Sequence, residues 1–120
     1  MRRRVVVTGM GVIAPNAYGV EEFEKALREG RSGIRFIQEM KDLNFSCQVG
    51  GIPQGVDKVL MEYFDEEERN SINDNIGYAA IASMDAWKDA GFTVPKHDSG
   101  QVDWATGAII GSGIGGMDTI

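Results

Sequence analysis

A chain of 120 residues with 42% apolar, 25% charged and 8% aromatic side chains has the length and composition of one globular domain and is neither fibrous nor intrinsically disordered in type. Its formal charge of -6 argues against a nucleic-acid partner bound by phosphate neutralisation, and its longest apolar runs, Val5–Val7 and Ala108–Ile110, fall far short of the ~20 residues that span a bilayer. One cysteine excludes an internal disulfide, one histidine excludes a mechanism taking two imidazoles from this chain, and sixteen glycines, well above the usual ~7%, ask for close backbone approaches.

Arg2-Arg3-Arg4 is followed by only three valines before Thr8-Gly9, too short for the apolar region of a signal peptide, which needs about 7 to 15 residues. With a lone thiol, this points to the cytoplasm. Arg4–Thr8 is β-branched and closed by Gly9, the pattern of a buried strand. From Val20 to Glu29, Phe23, Ala26 and Leu27 recur at helical spacing, with Glu21 and Glu22 in the first turn and Gly30 as the stop. Residues 32–44 mix types, and Phe45–Ile52 reads as extended up to Pro53. Val56, Val59, Leu60, Tyr63 and Phe64 mark a second helix, after which Asp65-Glu66-Glu67-Glu68 carries charge into solvent.

A third helix is expected over Ser71–Ala90, where Ile72, Ile76, Ala79, Ala80, Ser83, Met84 and Trp87 repeat near a period of 3.6, ended by Gly91 and Pro95. Its small residues, among them Gly77, Ala82 and Ala86, predict burial on more than one face. Thr106–Ile110 is a further apolar strand, running into Gly111-Ser112-Gly113-Ile114-Gly115-Gly116. The order strand, helix, extended segment, two helices, strand is an α/β pattern with no internal domain boundary over 1–120. Two or three strands cannot cover so small-lined a helix, so the chain is expected to be the N-terminal portion of a larger α/β protein.

Two glycine turns compete for a functional reading. Gly9-Met10-Gly11-Val12-Ile13-Ala14 and Gly111–Gly116 both fit the dinucleotide fingerprint after a strand, which would set a pyrophosphate against amides at a helix N-terminus. Pro15 and Asn16 interrupt the first unit where that helix should run, and no acidic residue ends a second strand at the distance a ribose needs. Close packing of strand and turn is the favoured reading, with a dinucleotide-binding oxidoreductase as the competing one. Cys47 and His97 are the one possible thiolate and imidazole dyad, but Cys47 lies in an extended segment and His97 in a polar loop. Trp87 and Trp104 are expected as a helix-to-core and a strand-entry contact. No metal-ligand spacing occurs, and no metal or cofactor is expected.

The segment Arg3-Arg4-Val5-Val6-Val7-Thr8-Gly9-Met10-Gly11-Val12-Ile13-Ala14-Pro15 resembles the N-terminal signature of the β-ketoacyl-acyl-carrier-protein synthases, the ketosynthases of the thiolase-like superfamily. Leu27–Ile34, Tyr78–Ala80, Asp89–Phe92 and Ala108–Gly116 continue the likeness in the same order. The resemblance implies the N-terminal part of a layered αβαβα fold and a decarboxylative Claisen condensation in fatty acid or polyketide synthesis. In that reaction a cysteine takes an acyl chain from its carrier protein, and two histidines stabilise the enolate of a malonyl thioester. It places the nucleophilic cysteine and both histidines beyond Ile120, so Cys47 and His97 match none of them. It also implies a homodimer or a heterodimer with a related subunit, and an acyl pocket lined by Ile114 with Gly113 and Gly115 beside it.

One departure is electrostatic. Relatives often carry a basic stretch before the small-residue helix, suited to an acidic carrier, whereas Asp65-Glu66-Glu67-Glu68 here would repel it. The whole protein is then a specialised ketosynthase, or a non-condensing partner of the chain-length-factor type, unless the carrier docks elsewhere or these carboxylates are simply a solvated face.

Overall fold

The computed structural model describes residues 3–93, 100 and 102–113. The glycine turn after Val7 runs directly into a hairpin of β1 (Ile13–Ala14) and β2 (Ala17–Tyr18), turned by Pro15-Asn16, with Ile13 opposite Tyr18 and Ala14 opposite Ala17. Proline suits this place because its fixed φ favours the first corner of a turn. Pro15 is in turn seated between Gly33 and Gly51, where added Cβ atoms would lie 2.6 Å and 3.2 Å from its Cβ. Gly19 donates back to the Val12 carbonyl at 2.9 Å and leads into α1 (Val20–Arg28), whose Ala26 is fully buried. A second antiparallel pair, β3 (Arg35–Phe36) with β4 (Val49–Gly50), encloses the short α2 (Gln38–Asp42).

Three helices follow: α3 (Val56–Tyr63), α4 (Glu66–Ser71) and α5 (Asp74–Asp89). Asn73 caps α5 by accepting from the Ile76 amide at 3.0 Å, and α4 starts with a reciprocal cap between Asp65 and Glu68. Helices α1, α2 and α5 end alike. In each, a residue with positive φ (Gly30, Asn44 or Gly91) donates to the carbonyl three residues back, and the next residue donates to the carbonyl five back. These paired bonds satisfy carbonyls that the last turn would otherwise orphan. At the end of α5 the associated apolar contact is Trp87 on Phe92, ring centroids 4.8 Å apart.

The α/β character holds as mixed helices with two small sheets, but two expected strands differ. Arg4–Thr8 and Thr106–Ile110 lie without ladder pairing. A β-branched run favours extended backbone, yet a strand exists only where a neighbour accepts its hydrogen bonds. Neither segment finds one among the described residues, and Val5, Val7 and Ile109 stay 83–103% exposed. Trp104, expected at a strand entrance, is 92% exposed for the same reason. The third helix is shorter than expected, since Asn73 supplies its cap and Ser71 closes α4. It is also less covered: Gly77 and Ile81 are its buried residues, and Ser83 is exposed. Among the described residues, the remaining buried apolar side chains are Ala26, Ile37 and Val56. A Cα radius of gyration of 17.2 Å, against roughly 13 to 14 Å for a compact domain of this length, agrees with so much uncovered apolar surface.

Candidate functional site

Helix α5 gathers the features that the sequence singled out. Gly9 and Gly11 lie directly on its backbone: a Cβ on Gly9 would stand 2.5 Å from the Ala90 nitrogen, and one on Gly11 would meet the Ala82 carbonyl oxygen and come within 2.9 Å of the Ala86 nitrogen. The turn between them is pinned where the Met10 amide donates to the Asp89 carboxylate at 2.9 Å. Only glycine permits this contact, because any Cβ would have to displace helix backbone rather than a movable side chain.

This geometry decides between the readings of the first glycine turn. A phosphate loop needs its glycines open to the ligand and a helix N-terminus beginning at the turn. Here the glycine faces are filled by α5, and the chain passes into the β1–β2 hairpin before α1 begins at Val20. The close-packing reading stands at Gly9 and Gly11, and the pyrophosphate reading fails there.

On the same side of α5, Thr8, Ala86, Trp87, Phe92, Ile109 and Ile110 belong to the lining of an open apolar groove of about 590 Å³. A second apolar cavity of about 270 Å³ separates Ile76, Ala79 and Ala80 of α5 from Ile110 and Ser112. Both therefore border the segment that runs into the second glycine turn. Of the residues implied to line an acyl pocket, Gly113 is described and exposed, with open space where its Cβ would be. Ile114 and Gly115 lie outside the described residues.

Sequence reasoning does not foresee a polar cluster on α5. The Asp85 carboxylate accepts from the Tyr18 hydroxyl at 2.8 Å and, on its other oxygen, from the Tyr63 hydroxyl at 2.9 Å. The Lys88 ammonium donates to the Tyr63 hydroxyl at 2.5 Å and sits 4.3 Å from that ring's centroid. Burial, then the hydrogen bond and negative charge of Asp85, push the Tyr18 phenol well above its ordinary range. Lys88 is raised by its bond to Tyr63. The cluster joins β2 and α3 to one face of α5; spacing along the helix could have suggested that Asp85 and Lys88 share a face, but not their tyrosine partners.

The acidic stretch is more ordered than a solvated run. The Asp65 amide donates to Glu68 at 3.0 Å and the Glu68 amide to Asp65 at 2.8 Å, so these two carboxylates cap α4, although all four acidic residues are exposed. Cys47 is exposed, with its thiol donating to the Val49 carbonyl at 3.7 Å; His97 lies outside the described residues. Among the described residues, no group of histidines, cysteines and carboxylates could hold a metal ion, and no helix is long and apolar enough to cross a membrane.

A partial α/β domain with a glycine turn closed onto a small-residue helix, and apolar hollows leading to a second glycine turn, is the class of protein that these features define. The family described as "Beta-ketoacyl synthase, N-terminal domain" matches residues 2–120, and the chain belongs to it. It is 38% identical over 119 residues to the 3-oxoacyl-[acyl-carrier-protein] synthase 2 of Vibrio harveyi, covering 99% of this chain and 27% of that protein. The synthase 2 of Vibrio cholerae is 36% identical over the same shares. A Streptomyces halstedii protein described by name as a polyketide beta-ketoacyl synthase is 30% identical over 97% of this chain and 26% of its own length. The chain thus spans about a quarter of the length of these curated relatives.

Proposed function

We propose that the protein containing this chain is a β-ketoacyl-acyl-carrier-protein synthase, and that residues 1–120 form part of its N-terminal domain without an internal boundary. The observation that carries the reading is family membership over residues 2–120, joined to a first glycine turn that is packed shut on α5 rather than open to a nucleotide. In the complete protein the chemistry is a decarboxylative condensation. A cysteine thiolate attacks the acyl thioester carbonyl and expels the carrier thiol; the malonyl thioester loses carbon dioxide; its enolate attacks the acyl-enzyme and releases the cysteine. The cysteine and the two histidines are proposed to come from outside Met1–Ile120, a stretch that has one histidine and whose Cys47 is exposed.

The proposed architecture is thiolase-like. Its support in this chain is that Val5–Val7 and Ala108–Ile110 are apolar on both faces, the composition of strands buried between layers. Ile114, with Gly113 and Gly115, is proposed to line the acyl pocket at the end of the second such segment. The proposed partners are an acyl carrier protein and a second, identical or related, synthase subunit, and the proposed compartment is the cytoplasm. A chain-length-factor-like, non-condensing role is the second reading, favoured by the exposed Glu66 and Glu67 where an acidic carrier would approach.

The test is condensation by the complete purified protein given an acyl thioester and malonyl-carrier. Product formation that disappears on replacing the nucleophilic cysteine supports the synthase. A protein that forms no product alone but changes product length when mixed with a synthase is the non-condensing partner. The 120-residue chain by itself is expected to form no product.

A further inference from the structure

We infer that α3 and α4 open from α5 as one unit, and that the Lys88 ammonium, through Tyr63, is the latch that holds the unit closed. The unit is lightly anchored. Val56 is the buried residue of α3, and α4 has none. Leu60, half-buried like Val59 and Phe64, adds a contact, its Cδ2 lying 2.8 Å from where a Cβ on Gly77 would be. Few buried apolar contacts and an exposed surface are what set a low local opening free energy.

Both ends of the unit are built to turn. Gly55, just before α3, has φ of 73° with open space around it, a conformation that glycine alone adopts freely. Between α4 and α5 the backbone is extended at Ile72 and Asn73; it is extended at Phe64 and Asp65 too, but there the Arg69 guanidinium of α4 donates to the Phe64 carbonyl at the end of α3 at 3.3 Å and joins the two helices.

The polar tie therefore carries a large share of the closure. Tyr63, the last residue of α3, donates to Asp85 and accepts from Lys88, both on α5. Lys88 also sits over the Tyr63 ring, an attraction that requires the positive charge. Asp85 and Glu62 are the negative groups that act on this ammonium. Neutralising Lys88 removes the hydrogen bond to Tyr63 and the ring contact together. Opening would uncover the Gly77 side of α5 and move the exposed Glu66 and Glu67 away from it. The inference does not depend on the synthase reading.

Hydrogen exchange of the complete protein tests it. In Lys88→Met, amides of residues 56–71 are expected to exchange about two- to five-fold faster, the change that a surface cation–π contact supports, with residues 74–89 unchanged. Lys88→Arg, which keeps the charge, is expected to retain slow exchange, and Tyr63→Phe, which keeps the ring but loses the hydroxyl, to fall between. Wild-type exchange over 56–71 in Lys88→Met overturns the latch. Equal acceleration over 56–71 and 74–89 overturns the separate unit.

Discussion

The carbonyl oxygen of Ala82 occupies the place where a Cβ on Gly11 would stand. The N-terminal segment is consequently seated on α5 backbone to backbone, and the neighbour cannot yield by a side-chain rotation. Gly11→Ala is expected to destabilise the protein by about 1 to 3 kcal/mol, the usual cost of overpacking, seen as a lower urea midpoint at unchanged slope. Gly33→Ala should behave similarly, because its Cβ would meet the Asn16 nitrogen at 2.7 Å. A Gly11→Ala midpoint equal to wild type would mean that the segment does not sit on the helix.

Helix α4 has no buried residue and depends on its ends. Asp65→Ala removes the acceptor of the Glu68 amide and is expected to cost about 1 kcal/mol. Glu67→Ala, on an exposed carboxylate outside the cap, should stay within about 0.5 kcal/mol. Equal effects of the two changes in denaturant titrations would contradict the cap.

Tyr18 should ionise at higher pH than an ordinary phenol, because burial and Asp85 both favour its neutral form. A phenol whose folded pKa lies above its unfolded value stabilises the fold fully below the unfolded value, about 10, and that contribution is lost as pH rises above it. Difference titration by ultraviolet absorbance, wild type minus Tyr18→Phe, should isolate one late-ionising tyrosine. A difference curve centred at the ordinary phenol value would remove Asp85 as its partner.

If Val5–Val7 and Ala108–Ile110 are interior strands of the complete protein, their amides should exchange slowly there and rapidly in the isolated 120-residue chain, where no ladder partner protects them among the described residues. Rapid exchange in both would exclude the layered arrangement.

The acyl-pocket proposal has its own measure. Ile114→Phe in the complete protein is expected to shorten the longest acyl chain accepted, since the larger ring fills space along the pocket. A product-length distribution identical to wild type would place Ile114 elsewhere.

Local structure is largely legible in the sequence because local forces make it. Helix α1 ends where Gly30 follows Glu29, and α5 ends where Gly91 follows Ala90; both glycines reach positive φ without cost. Helix α4 escapes the sequence reading although its signal is present: Asp65 followed three residues later by Glu68 is a capping box, hidden inside what reads as a run of like charges. The hairpin at Pro15-Asn16 escapes it because Ile13–Ala14 and Ala17–Tyr18 are too short to show alternation.

Neighbouring residues were enough to define α1, α3 and the body and stop of α5, the mixed α/β composition, and the family resemblance carried by residues 3–15 and 108–116, because each depends on groups close together in the chain. Long-range contact alone established what the glycines of the first turn face, that Arg4–Thr8 and Thr106–Ile110 lack ladder partners among the described residues, and that Asp85 joins Tyr18 to Tyr63. Those outcomes depend on which backbone and which polar atoms come within about 3 Å of each other, and residues 67 positions apart, such as Tyr18 and Asp85, leave no spacing from which that proximity can be read.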